Sequence, residues 1–225
     1  MGLSSPGGGT SVSLVSEYTA AETAANFTNG VSGGPWLLTY VFGFLGEGPV
    51  NVSHFLPHGV SCTLRNVTVA DVPALDPSAS SYHGLAQAWI YVYANAYVYS
   101  NPSGSTGLTV LVQNGAATEL GLWSGADCIP AAPLASFLID STGAAAAVTA
   151  TTAGAAFMAD HPTANATFSL AYTSYSAGGV RENATLWTLG FWAPPDEIGI
   201  PLFAQVFANN GTIECIGAGS PYCPS

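Results

Sequence analysis

The segment Ala88 to Tyr99 constrains this chain more than any other part. Trp89, Tyr91, Tyr93, Tyr97 and Tyr99 fall on one alternating set of positions, with Ile90, Val92, Ala94, Ala96 and Val98 on the other. A β-strand sends successive side chains to opposite faces, so a period of two means a strand, here one that is apolar on both sides. The aromatic row admits two uses. Flat Trp and Tyr rings suit stacking against sugars, and large rings equally suit a core or a subunit contact. A core or contact role is the expectation for this row.

Further strands follow from similar patterns. Ser11 to Thr19 alternates, with Val12, Leu14 and Tyr18 on one side, and Trp36 to Leu45 reads as a dense buried strand. Val60 to Val69 sets Cys62 and Leu64 opposite Val67 and Val69, and Pro73 and Pro77 make Asp71 to Ser81 a loop. Gly107 to Gln113 and Ala116 to Trp123 flank Asn114-Gly115, a dipeptide that favours the tight turn of a hairpin. Asn165 to Tyr175, Thr185 to Ala193, Leu202 to Ala208 and Thr212 to Ile216 complete the set, broken by Pro194-Pro195 and Asn209-Asn210-Gly211. Leu134 to Met158 is mixed: Ala144 to Ala147 favours helix, whereas Gly143, Thr149, Thr151, Thr152 and Gly154 oppose it. Many strands without regular strand-helix alternation predict an all-β fold, an antiparallel β-sandwich or jelly roll. Residues 20–225 are expected to form that single domain behind a flexible Gly-, Ser- and Pro-rich leader and N-terminal strand, residues 1–19.

Charge narrows the function classes. There are 13 carboxylates against Arg65 and Arg181, no lysine, and a formal net charge of -11. Nucleic-acid binding and a polybasic membrane surface both need many cations, so neither fits. Schiff-base chemistry, Ser-Lys catalysis and a P-loop need a lysine, so they go too. Only 7% of residues are charged while 48% are apolar. Solubility then has to come from hydroxyls, amides or a covalent addition. Six triplets fit the N-glycan acceptor pattern, at Asn26, Asn51, Asn66, Asn165, Asn183 and Asn210, whereas Asn101 is barred by Pro102. Chance would supply about two. Covalent N-glycans are therefore expected as partners of the chain.

Four cysteines, Cys62, Cys128, Cys215 and Cys223, show no metal-ribbon or haem-attachment spacing. An even set beside many sequons reads as two disulfides in an oxidising compartment. The short terminal loop favours Cys215 with Cys223, leaving Cys62 with Cys128. Met1 to Thr10 carry neither the charged start nor the apolar centre of a signal peptide, and Pro6 opposes a myristoylation reading of Met1-Gly2. Trp36 to Leu45, the longest apolar run, is too short for a membrane span.

Catalytic and metal candidates are weak. His54 and His58 have the four-residue spacing of helical metal ligands, but Pro57 opposes a helix there and loop histidines are the better account. Asp160-His161 and Asp196-Glu197 both abut prolines and read as turns, and Ser124 lacks the Gly-x-Ser-x-Gly elbow. No catalytic residue, metal or cofactor is expected. A sugar hydrolase would have to draw its two facing carboxylates from Glu119, Glu182, Asp196 and Glu197.

Long apolar strands also pose an edge problem, because open edges recruit other chains and charged gatekeepers are scarce here. A flexible leader followed by a short alternating strand could pair within its own sheet or fill an open edge in the next copy, with Val12, Leu14 and Tyr18 as the donated side chains. Head-to-tail donation does not close and gives a homopolymeric filament. The lysine-free, Ala-, Gly-, Ser-, Thr- and Val-rich composition, the sequons and the Ser11 to Thr19 strand resemble the donor-strand-complemented thread and pilus subunits of thermophilic, often acidophilic archaea. That resemblance implies a glycosylated β-sandwich polymerised outside the cell, as an appendage for adhesion or biofilm formation. Two other classes remain as expectations to weigh: a secreted carbohydrate-active or sugar-binding sandwich, and a viral jelly-roll capsid protein. Near pH 2 to 3 most carboxylates are neutral, so a chain with so few cations would face little self-repulsion and have few ion pairs to lose.

Overall fold

In the computed structural model of the protein, residues 14–44, 48–51, 68–72, 83–95, 106–124, 132–134, 137–162, 164–177, 180–192 and 202–218 are described, and the structural statements below concern these residues. In chain order they form β1 (Val15–Ser16), α1 (Glu17–Thr28), β2 (Trp36–Phe44), β3 (Gly48–Asn51), β4 (Thr68–Val72), β5 (Leu85–Ala86), β6 (Ala88–Asn95) and β7 (Thr106–Gln113). Then come β8 (Ala116–Ser124), α2 (Ser141–Thr149), α3 (Thr152–Asp160), β9 (Asn165–Ala177), β10 (Val180–Trp192), β11 (Leu202–Phe207) and β12 (Ile213–Ala218).

Eight strands make one sheet in the order β12-β11-β10-β9-β2-β6-β7-β8, and every neighbouring pair is antiparallel. β1 pairs with β5, and β3 with β4, as separate two-stranded ribbons. The antiparallel, sandwich-like β class expected from the sequence is thus observed. One face of the large sheet is buried under the helices, and the other is buried over β2, β6 and part of β7. On one, Trp89, Tyr91, Phe168, Leu170, Trp187, Leu189 and Phe191 meet the three helices; on the other, Tyr40, Phe42, Phe44, Ile90 and Val92 form a second cluster. The alternation read along β6 is therefore the division between these two cores. Trp89, Tyr91 and Tyr93 are core residues, while Tyr97 and Tyr99 lie outside the described residues.

β2 changes faces partway. Leu38 packs with the helix-side core and Tyr40 with the opposite one, although both occupy even positions. The register slips between them, from Leu38 opposite Tyr93 to Tyr40 opposite Val92, leaving Thr39 as the extra residue of a bulge. Thr39 is buried there, and its Oγ1 donates to Val92 O at 3.0 Å.

The helices are built from small residues at capped ends. Ser16, Asp140 and Thr151 are the N-caps, each accepting a backbone N–H from within the first turn. Ala20 and Ala24 of α1 and Ala144, Ala145 and Val148 of α2 are buried against the large rings of the sheet. α1 covers β6, β7 and β8, and α2 covers β10, β11 and β12. The mixed signals of Leu134 to Met158 resolve physically: the alanines lie inside α2, while Ala150 and Thr151 mark the break before α3.

The Ser11 to Thr19 strand is corrected by the structure. Its strand portion is only Val15–Ser16, which pairs with Leu85–Ala86 of the same chain. The chain turns helical at Glu17, because the Ser16 cap and the run of Ala and Glu behind it outweigh a short alternation. Tyr18 is therefore an exposed helical residue, Leu14 is half-buried just ahead of β1, and Val12 lies outside the described residues. Of the Val60 to Val69 strand, only Thr68 and Val69 are described, within β4.

Candidate functional site

The first turns of α1 and α2 are held together by a chain of buried hydrogen bonds. Glu17 N donates to Ser141 Oγ at 3.0 Å, and Ser141 Oγ donates onward to Gly84 O at 2.6 Å. Glycine is needed at position 84: its φ is +87° and a Cβ would lie 2.4 Å from Ser141 O. From β6 below, the Tyr91 hydroxyl lies 3.0 Å from Glu17 O and 3.5 Å from Glu17 Oε1. Asp140 caps α2, its Oδ1 accepting from Gly143 N at 2.9 Å and from Thr142 Oγ1 at 2.7 Å.

Above this cluster lies a groove of about 540 Å³, with Glu17 and Asp140 among its lining and Phe137 and Ile139 along its apolar walls. Tyr18 and Leu138, exposed by 73% and 83%, stand on it, and they are the large hydrophobic side chains most exposed among the described residues. No lining residue is cationic.

Glu17 is only 1% exposed. Burial, and after it the Asp140 carboxylate, push its carboxyl from the usual 4.5 up to about 7, against a smaller opposing effect of the Tyr91 hydrogen bond. Tyr91 and Tyr93 are pushed upward as well, by burial first and then by the Glu17 charge. The site can therefore hold a proton close to neutrality beside a second carboxylate. Ser141→Ala would orphan both Glu17 N and Gly84 O in a buried setting. The expected loss is about 1–3 kcal/mol by urea unfolding, and a variant as stable as the parent would show that these hydrogen bonds do not tie the helices down.

Sequence reasoning missed this site. Glu17 and Ser141 are 124 positions apart, and only the fold joins them. The available signals were the cap residues Ser16 and Asp140.

The residues singled out from the sequence are scattered. Glu119 lies on β8 and Glu182 on β10, five strand steps apart, or roughly 24 Å at the usual strand spacing. That is too far for a carboxylate pair acting on one glycosidic bond. Asp196, Glu197, His54 and His58 lie outside the described residues, as does the side chain of Ser124. Glu182 accepts from the Tyr175 hydroxyl at 2.7 Å. His161 follows α3, where its N–H donates to Phe157 O and its ring sits 4.8 Å from that of Phe157. Cys215 on β12 is disulfide-bonded. Cys62, Cys128 and Cys223, from which its partner must come, lie outside the described residues. Asn26, Asn183 and Asn210 are exposed and Asn165 is half-buried; the side chain of Asn51 and all of Asn66 lie outside the described residues.

No protein-family model, curated protein or solved structure matches this chain. Its function has to be argued from its own geometry. Among the described residues no helix is long and apolar enough to cross a membrane, and no three His, Cys, Asp or Glu side chains cluster as metal ligands.

Proposed function

We propose that this chain is a structural subunit of a secreted, N-glycosylated filament, built head to tail from copies of itself and serving adhesion or biofilm formation at the cell surface. The observation that carries this reading is the pair of sheet edges. β8 and β12 end the eight-stranded sheet, and neither has a second strand beside it among the described residues. Seven antiparallel steps separate them, so they run in opposite directions. A copy displaced across the strands therefore offers its β12 to β8 in the antiparallel sense, with its helices on the same side. The two edges are different surfaces, so their contact does not close on itself and growth is open-ended. Sheet twist would turn the row into a helix.

Strand donation by the leader, as in the resembling subunits, falls on this account to residues ahead of Leu14, Val12 among them. Edge-to-edge pairing needs no displaced segment and is the mode we favour. Exposed sequon asparagines and the disulfide at Cys215 support an extracellular setting. A sugar platform on β6 is not supported, since Trp89, Tyr91 and Tyr93 are buried.

The edges themselves can be tested. Thr118 is exposed on β8, and lysine on an edge strand obstructs pairing with another chain. Sedimentation at rising protein concentration should show the parent growing and Thr118→Lys remaining monomeric, at unchanged melting temperature. Growth should strengthen with salt, because the charges on the edges, Glu119 and Glu214, are of like sign. Equal growth of parent and variant would remove β8 from the account.

A further inference from the structure

Four sequons have both Asn and Thr side chains among the described residues, and the fold presents them very differently. An N-glycan acceptor has to offer its carboxamide and the hydroxyl two residues on to one catalytic site together. In α1, residues two apart point about 200° away from each other. Asn26 is exposed, but Thr28 is only 8% exposed and its Oγ1 donates to Ala25 O at 3.0 Å. Asn183 and Thr185 share a face of β10, yet that strand lies inside the sheet, between β9 and β11. Asn183 Oδ1 accepts from Ser174 Oγ at 2.7 Å, and Thr185 is 8% exposed with its hydroxyl buried and unpaired. Asn165 and Thr167 are both half-buried in β9, paired opposite Trp192 and Gly190.

Asn210-Gly211-Thr212 is the exception. It forms the turn between β11 and β12, with Asn210 and Thr212 both exposed. Thr212 N donates to Asn210 Oδ1 at 2.9 Å, so the side-chain oxygen is engaged by the backbone of the very residue that carries the hydroxyl. Gly211 has φ of +75°, which lets the chain turn tightly enough to bring the two together. That hydrogen bond takes the side-chain oxygen and not the amide nitrogen, the atom that is glycosylated, and the residue is exposed.

We propose that Asn210 is the one of these four sequons that the folded chain can offer to a glycosyl transferase, and that glycans at Asn26, Asn165 or Asn183 have to be attached before folding. The inference rests on the glycoprotein reading above and adds an order of events to it. The co-reactant is an oligosaccharide carried on a lipid phosphate. The bond between sugar C1 and the phosphate oxygen breaks, C1 bonds to Asn210 Nδ2, the lipid phosphate leaves with the electron pair, and the amide proton goes to base. The attachment point is the tip of the edge hairpin, so the sugar would flank β12 instead of covering its backbone groups.

The test uses the full chain made without N-glycosylation, given an oligosaccharyl transferase and a lipid-linked donor, once folded and once reduced and denatured. Peptide masses report each site. The expected result is attachment at Asn210 alone among the four in the folded chain and at several of them in the denatured one, with Thr212→Ala abolishing the folded-state product. Equal modification of Asn26, Asn165 or Asn183 in the folded chain, or a folded chain spared at Asn210 while the denatured one is modified there, overturns the proposal. Absence of sugar at every sequon even after denaturation overturns the glycoprotein reading itself, and the order of events with it.

Discussion

Acidification from about pH 8 to about pH 5 should stabilise the fold, and Glu17→Gln should remove most of that response. An unfolded glutamate releases its proton near 4.5, whereas folded Glu17 keeps it up to about 7. Between those values the folded state binds more protons than the unfolded one, so stability falls as pH rises through the interval and is level above it. The size follows from about 1.4 kcal/mol per pH unit, giving roughly 3 kcal/mol at most for Glu17 alone. In a domain of this length that is roughly 5–10 °C in Tm. The cause is burial beside the Asp140 carboxylate, so Glu17→Gln removes the charge that burial penalises while keeping an oxygen for Tyr91. The variant should melt higher than the parent at pH 8 and close to it at pH 5. A parent whose Tm falls steadily on acidification, or a Gln variant with the same pH profile, would show that Glu17 is not held protonated.

The second large effect centres on Gly43. It faces the helix side of β2, opposite Trp89 on β6 and Phe168 on β9. A Cβ there would lie 2.5–2.7 Å from three atoms of the Trp89 ring. That ring has little room to move. Its Nε1 donates to Val15 O at 3.0 Å, Phe168 stands 6.1 Å away, and Trp187 meets it edge-on at 6.5 Å. Gly43→Ala should therefore cost about 1–3 kcal/mol or more through overpacking. Trp89→Ala should cost about 3–5 kcal/mol by opening a cavity and releasing Val15. The two sites touch, so Gly43→Ala combined with Trp89→Ala should be less damaging than the sum of the single changes. Strict additivity in urea unfolding would mean that the ring does not occupy the space above Gly43.

How much of this was legible depends on which physical signal each element carries. β6, the β7–β8 hairpin, β9 and β11 follow from alternation and the Asn114-Gly115 turn, because a half-buried or fully buried strand writes its period into the sequence. The bulge at Thr39 leaves no such mark, since its effect is to move Tyr40, Phe42 and Phe44 to the other core without changing their spacing. α1 was hidden because its buried face, Glu17, Ala20, Ala24 and Thr28, carries no large apolar residue and contrasts little with the residues beside it. The Glu17, Asp140 and Ser141 cluster was out of reach for a different reason. Two helix caps distant in sequence meet only because both helices lie on one face of the sheet. The sequons could be counted from sequence, but their differing exposure could not, because it depends on whether helix, inner strand or turn holds the triplet.

Electron microscopy of the purified full-length chain, concentrated at moderate salt, tests the central claim most directly. Open-ended sheet continuation predicts unbranched fibres with one subunit for every eight strands, an axial rise of roughly 38 Å, and their loss in Thr118→Lys. Single particles at every concentration, or closed shells in place of fibres, would contradict it.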